Sequence, residues 1–61
     1  MITVIVKQTI ENGRHVSKYY YRGVHLGTAH TLEEMDNIQY VIRQTMYASR
    51  TYFNGVRFLI Q

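Results

Sequence analysis

A chain of 61 residues, 46% apolar and 18% charged, has the composition of one small folded domain spanning residues 1–61 and is too apolar for a disordered segment. The absence of cysteine removes disulfides, thiol catalysis, iron–sulfur clusters and thiolate zinc sites, and it fits a reducing, cytoplasmic setting. No uninterrupted apolar run exceeds three residues, Val4-Ile5-Val6 being one, so no transmembrane or signal segment and no membrane partner is expected.

Residues 2–10, ITVIVKQTI, are rich in β-branched types and alternate, which predicts a strand. Asn12-Gly13 is the favoured pair for a two-residue primed turn, and HVSKYYYR over 15–22 supplies the return strand. The turn fixes a register in which Glu11 faces Arg14, Lys7 faces Lys18 and Val6 faces Tyr19. Because side chains alternate, Ile2, Val4, Val6, Ser17, Tyr19 and Tyr21 share a core face. Thr3, Ile5, Lys7, Lys18, Tyr20 and Arg22 share the other.

Residues 24–28, VHLGT, read as a short third strand that places Val24 and Leu26 in the core and His25 outside. Arg22-Gly23 is a poor primed-turn pair, so one long strand bulged at Gly23 is the alternative. Thr31-Leu32-Glu33-Glu34 has the pattern of a capping box with Thr31 as N-cap. Met35, Ile38, Ile42, Met46 and Phe53 then fall on one helical stripe, with Tyr40 and Tyr47 on a second line. Asn54-Gly55 either ends this helix or turns a hairpin between 51–53 and 56–58. VRFLI over 56–60 is a strand in both cases, and Leu59 breaks its alternation, which predicts burial on both faces.

The expected fold is therefore α+β: a small antiparallel sheet from residues 2–28 packed on one long helix, with a C-terminal strand. If that strand lies beside the first, the strand order is 3-2-1-4. The expected core comprises Val4, Val6, Tyr19, Leu26, Met35, Ile38, Ile42, Met46 and Phe58.

The chain carries a formal net charge of +3 and an isoelectric point near 9.5. Its bases dominate residues 1–30, while Glu33, Glu34 and Asp36 cluster where anions complement a helix start. His25 and His30 lack metal-ligand spacing, Ser17 and Ser49 lack a triad signature, and the isolated glycines form no phosphate-cradling loop. No metal, cofactor, small-molecule substrate or catalytic residue is expected, and the chain reads as a non-enzyme. Lys7, Arg14, Lys18, Tyr20, Arg22 and His25 instead interleave bases with aromatic rings on a sheet face, a nucleic-acid pattern. Lys7 opposite Lys18 is a like-charge pair that an anion between the two ammoniums relieves; the alternative is that both splay into solvent.

Over Arg22 to Met35, RGVHLGTAHTLEEM, the chain resembles the Apetala-two/ethylene-response-factor DNA-binding domain and its relatives in phage and mobile-element proteins. Leu26-Gly27-Thr28, Thr31 and Glu33-Glu34 match that family's third strand and helix start in order and spacing. Ala29, His30 and His25 stand where the family has an aromatic residue, Asp and Trp. The resemblance, which extends to arm-binding domains of phage-type integrases, implies three antiparallel strands on one helix with the sheet laid in the DNA major groove. It implies DNA contacts from exposed bases on the first two strands and from His25.

Two functions are thus expected. One is a small phage or mobile-element module that grips DNA with its basic, aromatic sheet face. The other is a homodimeric protein-binding inhibitor that blocks a host or defence enzyme, with Ile5, Tyr40, Tyr47, Val56, Phe58, Leu59 and Ile60 at its interfaces. A homodimer is expected because a disulfide-free chain of this size has a small core and apolar residues beyond one helix face.

Overall fold

Both Asn12 and Gly13 sit at positive φ, 53° and 74°, the backbone that a type I′ turn requires. Around them β1 (Ile2–Glu11) and β2 (Arg14–Tyr21) pair antiparallel, with Glu11 facing Arg14, Lys7 facing Lys18 and Val6 facing Tyr19. The fold is given by a computed structural model that describes residues 2–48 and 55–61. Within it, β3 (Val24–Ala29), α1 (Leu32–Ala48) and β4 (Val56–Ile60) complete a four-stranded mixed sheet packed on one helix. The strand order is β3-β2-β1-β4, and β4 runs parallel to β1. The reading of 49–53 as helix, and of Asn54 as half of a cap or turn, lies outside the described residues.

The core sits between α1 and one sheet face. Ile2, Val4, Val6, Tyr19, Ala29, Ile42 and Met46 are buried there, and Tyr21, Met35, Ile38, Val56 and Phe58 pack against them half-buried. Tyr19 has no exposed surface; its ring meets Phe58 edge-on at 5.9 Å, and its hydroxyl accepts a hydrogen bond from Gln39 Nε2 at 3.2 Å. The helix closes onto β3 at Gly27, where a Cβ would lie 3.5 Å from Ile38.

Thr31 caps α1, its Oγ1 accepting the Glu34 amide at 3.1 Å. The Glu34 carboxylate reaches one residue further back than a regular capping box, accepting the His30 amide at 2.8 Å.

Arg22-Gly23 forms a turn, with Arg22 at φ 51° and Gly23 at φ 80°, so β3 is the separate short strand expected from VHLGT and not a bulged continuation of β2. The irregularity lies elsewhere: Tyr19 pairs with Gly27 and Tyr20 with His25, leaving Leu26 as an extra residue in β3. Contrary to expectation, Leu26 (38% exposed) and Val24 (62%) are not core residues, although Val24 pairs with the core-face Tyr21 and Leu26 lies beside Ile42 and Met46 of α1. Leu59 is not buried on two faces but 43% exposed, because it projects from the sheet face opposite α1.

Tyr19 links the sheet, the helix and β4, so its truncation tests the architecture. Tyr19→Ala is expected to cost about 3–5 kcal/mol, comparable to the whole stability of a domain this small. Tyr19→Phe removes only the Gln39 bond, at a cost of about 1 kcal/mol. Urea denaturation followed by circular dichroism separates the two: the alanine variant should be largely unfolded in buffer and the phenylalanine variant folded.

Candidate nucleic-acid interface

Alternation along β1 and β2 sends every second side chain away from the helix, and among the described residues no second layer covers that face. At its centre Tyr20 lies half-buried between neighbours from the flanking strands. The Lys7 ammonium, from β1, stands over its ring at 5.2 Å, and the His25 ring, from β3, lies at 5.4 Å and 46°. His25 is held in turn by Thr28, its Nε2 lying 2.9 Å from Oγ1. The β3 bulge makes this cluster possible, because it returns His25 to the open face opposite Tyr20.

Lys7 and Lys18 are opposite each other, as their register demands. Each ammonium finds a partner within the chain. Lys7 turns to the Tyr20 ring, and Lys18 forms a 2.8 Å ion pair with Glu11. That pair spans the position of Val16, which is only 2% exposed although it alternates onto the uncovered side. The hydrogen bond and the charge of Lys18 hold the Glu11 carboxyl below the usual carboxylate range, and Glu11 raises the Lys18 ammonium above its ordinary value.

The remaining expected site residues are placed unequally. Arg14 stands at the hairpin end of β2, opposite Glu11. Arg22 leaves the cluster, its guanidinium lying over the ring of Tyr21, a core-face residue, at 5.5 Å. Tyr40 and Tyr47 are exposed on the helix; at about 100° per residue they lie far from the buried Ile42/Met46 stripe. Ile5 and Leu59 pair on the open sheet face, whereas Val56 and Phe58 join the core side and Ile60 lies at its exposed edge. The residues expected to form one protein interface are therefore spread over separate sides of the molecule.

Sequence reasoning missed Arg57. Parallel pairing of β4 with β1 sets Arg57 beside Thr3, where its Nε donates to Thr3 Oγ1 at 3.1 Å, and sets Leu59 beside Ile5. The open face thus reads Thr3-Ile5-Lys7 on β1, Lys18-Tyr20 on β2, His25 and Thr28 on β3, and Arg57-Leu59 on β4. The only signal for this was the odd-numbered alternation of VRFLI, which means nothing until its partner strand is known.

Charge divides between the two layers. Lys7, Arg14, Lys18, Arg22 and Arg57 belong to the sheet and its turns with Glu11 as the only acid, whereas α1 holds Glu33, Glu34 and Asp36 with Arg43. Arg43 is itself turned inward, 5.0 Å over the Phe58 ring. Among the described residues no three His, Asp or Glu side chains cluster as a metal site would require, and no helix is long and apolar enough to cross a membrane. The chain matches no protein-family model, no curated protein and no solved structure.

The Glu11–Lys18 pair predicts a pH signature. A lowered carboxyl pKa contributes stability above its unfolded-state value, and that contribution is lost as the pH falls through the folded-state value. The raised ammonium pKa contributes below its unfolded-state value and is lost as the pH rises through the folded-state value. Glu11→Gln should therefore melt slightly below wild type at neutral pH, and the two should converge in acid once both lack a charge at position 11. A difference that persists unchanged into acid would show that the ion pair contributes nothing.

Proposed function

We propose that this protein is a non-enzymatic binding module, of the kind carried by phages and mobile elements, that lays the open face of its sheet on duplex DNA. The observation that carries the reading is the segregation of charge onto an uncovered sheet: the bases lie with the strands and most acids lie with the helix. Lys7, Lys18, Arg57 and Arg14 supply phosphate contacts. Tyr20 acts as the platform that positions Lys7 and His25, and His25 is the side chain best placed to meet a base edge. Three adjacent strands span roughly 10 Å, which suits the ~12 Å width of the major groove. The resemblance of residues 22–35 to a DNA-binding domain points the same way.

Glu11 tempers this face, because it occupies Lys18 in the free protein. A phosphate and the Glu11 carboxylate compete for one ammonium, so DNA binding displaces an internal partner.

A second reading has its own observation. Ile5 and Leu59 pair beside Tyr20 as an apolar centre rimmed by Thr3, Lys7 and Arg57, the composition of a protein interface. A protein with an acidic docking surface, such as a host or defence enzyme, is the alternative occupant of the same face.

Fluorescence anisotropy with a random duplex, titrated with salt, tests the first reading. With about four phosphate contacts, log affinity should fall against log salt with a slope near −3.6. Lys7→Ala or Arg57→Ala should weaken binding and flatten that slope by about 0.9, whereas Glu11→Gln should tighten binding. No binding at low salt and tens of micromolar protein would eliminate DNA and leave the protein partner.

A further inference from the structure

Parallel pairing with β1 fixes which way each backbone group of β4 points. The Ile2 amide donates to the Gly55 carbonyl at 3.0 Å, and the Gln61 amide donates to the Val6 carbonyl at 2.9 Å. Successive residues of a strand turn their N–H and C=O groups to alternate sides, so Gly55, Arg57, Leu59 and Gln61 address β1. Val56, Phe58 and Ile60 therefore present their N–H and C=O groups to the outer edge of the sheet. Among the described residues β4 ends the sheet, and no backbone group pairs with these three.

The two edges of the sheet differ. β3 is interrupted by the bulge at Leu26, a device that blunts an edge against pairing. β4 carries no such protection. Its register runs unbroken from Ile2↔Val56 to Val6↔Ile60, and it contains neither Lys nor Pro. Its single charge, Arg57, is drawn back over β1 by Thr3. Leu59 and Ile60 add apolar surface at this edge, 43% and 60% exposed. Unpaired donors and acceptors at strand spacing define the occupant as another β-strand.

We propose that this strand is β4 of a second copy, paired antiparallel about a two-fold axis that passes between the two Phe58 residues. Val56 then faces Ile60 of the other copy, and Phe58 faces Phe58. This antiparallel register alone engages all three outward residues of both strands, since a shift by two leaves Val56 or Ile60 unmatched. Each is a directly hydrogen-bonded pair, about six inter-chain bonds in all. The sequence VRFLI suits its own reverse in this register. Apolar residues meet apolar residues on the helix side, and on the open face Arg57 stands opposite Leu59. The arginine stem covers the leucine, and the two guanidiniums lie diagonal rather than opposed. One two-fold operation satisfies both edges with the same patch, as an isologous contact requires.

The joined sheet has both helices on one side and both open faces on the other. Three strand spacings, roughly 14 Å, separate the two β1 strands, and Arg57 of each copy flanks the axis. Of the interface expected from sequence, this pairing keeps Val56, Phe58, Leu59 and Ile60 and leaves out Tyr40 and Tyr47. It stands whether or not the open face binds DNA.

Sedimentation of the wild-type chain from about 5 to 500 µM should show a dimer that dissociates on dilution. Ile60→Pro removes an outward amide and no bond to β1, a position where a strand tolerates proline. It should keep the wild-type circular dichroism and sediment as a monomer throughout. Leu59→Arg, which sets like charges opposite, should weaken the dimer about tenfold or more, and Leu59→Glu should strengthen it. The chain has no native cysteine, so a disulfide reads the register. Position 57 of one copy and 59 of the other form a non-hydrogen-bonded pair, with Cα atoms about 4.5 Å apart, within disulfide reach. A mixture of Arg57→Cys and Leu59→Cys should therefore oxidise to a heterodimer about tenfold faster than either variant alone forms a homodimer. Arg57→Cys mixed with Leu26→Cys, on the opposite edge, should not. This readout holds even if the proline variant unfolds. A folded Ile60→Pro that remains a dimer, or cross-linking no faster in the mixture than in the single variants, would overturn the proposal. So would a monomeric wild type at 500 µM, which would leave the edge to an extended segment of another protein.

Discussion

A single helix must cover a sheet that is both wider and longer than itself. The 17 residues of α1 extend about 25 Å, whereas β1 alone has 10 residues and extends about 33 Å. The helix also lies on one side only. These two shortfalls leave the sheet uncovered in two places, the whole of one face and the helix-side face of the hairpin arm. The buried residues follow the same limit, since Val4, Val6 and Tyr19 lie where α1 passes and Ile10 does not.

Most of this layout was legible in the sequence because one turn fixes a parity. Once Asn12-Gly13 is taken as the turn, every pair from Glu11–Arg14 to Val6–Tyr19 follows, and alternation assigns the faces. The helix start was equally legible, because Thr31 and Glu34 stand at the spacing that satisfies the first amides. What could not be read was any feature decided by non-local fit. The β3 bulge has no local signature, yet it gives His25 to Tyr20. Arg22 adopts a positive φ that an arginine does not favour, a local preference overridden by the need to return β3 antiparallel. Arg57 joins the candidate site only through the pairing of β4 with β1, a partnership between residues 54 positions apart.

The paired lysines show how a local conflict is resolved without deciding function. Like charges across a hairpin predict a partner for each, and the surrounding residues supply both: a ring for Lys7 and a carboxylate for Lys18. Both solutions are reversible. A cation–π contact and an exposed ion pair are each weak against a phosphate brought close by the remaining bases, so the free protein keeps its sheet face ordered without closing it to an anion.

The two uncovered surfaces lie back to back on the same two strands. Lys7 projects to the open face, whereas Gln8 and Ile10 project together to the helix-side face, so alternation along one arm creates both surfaces.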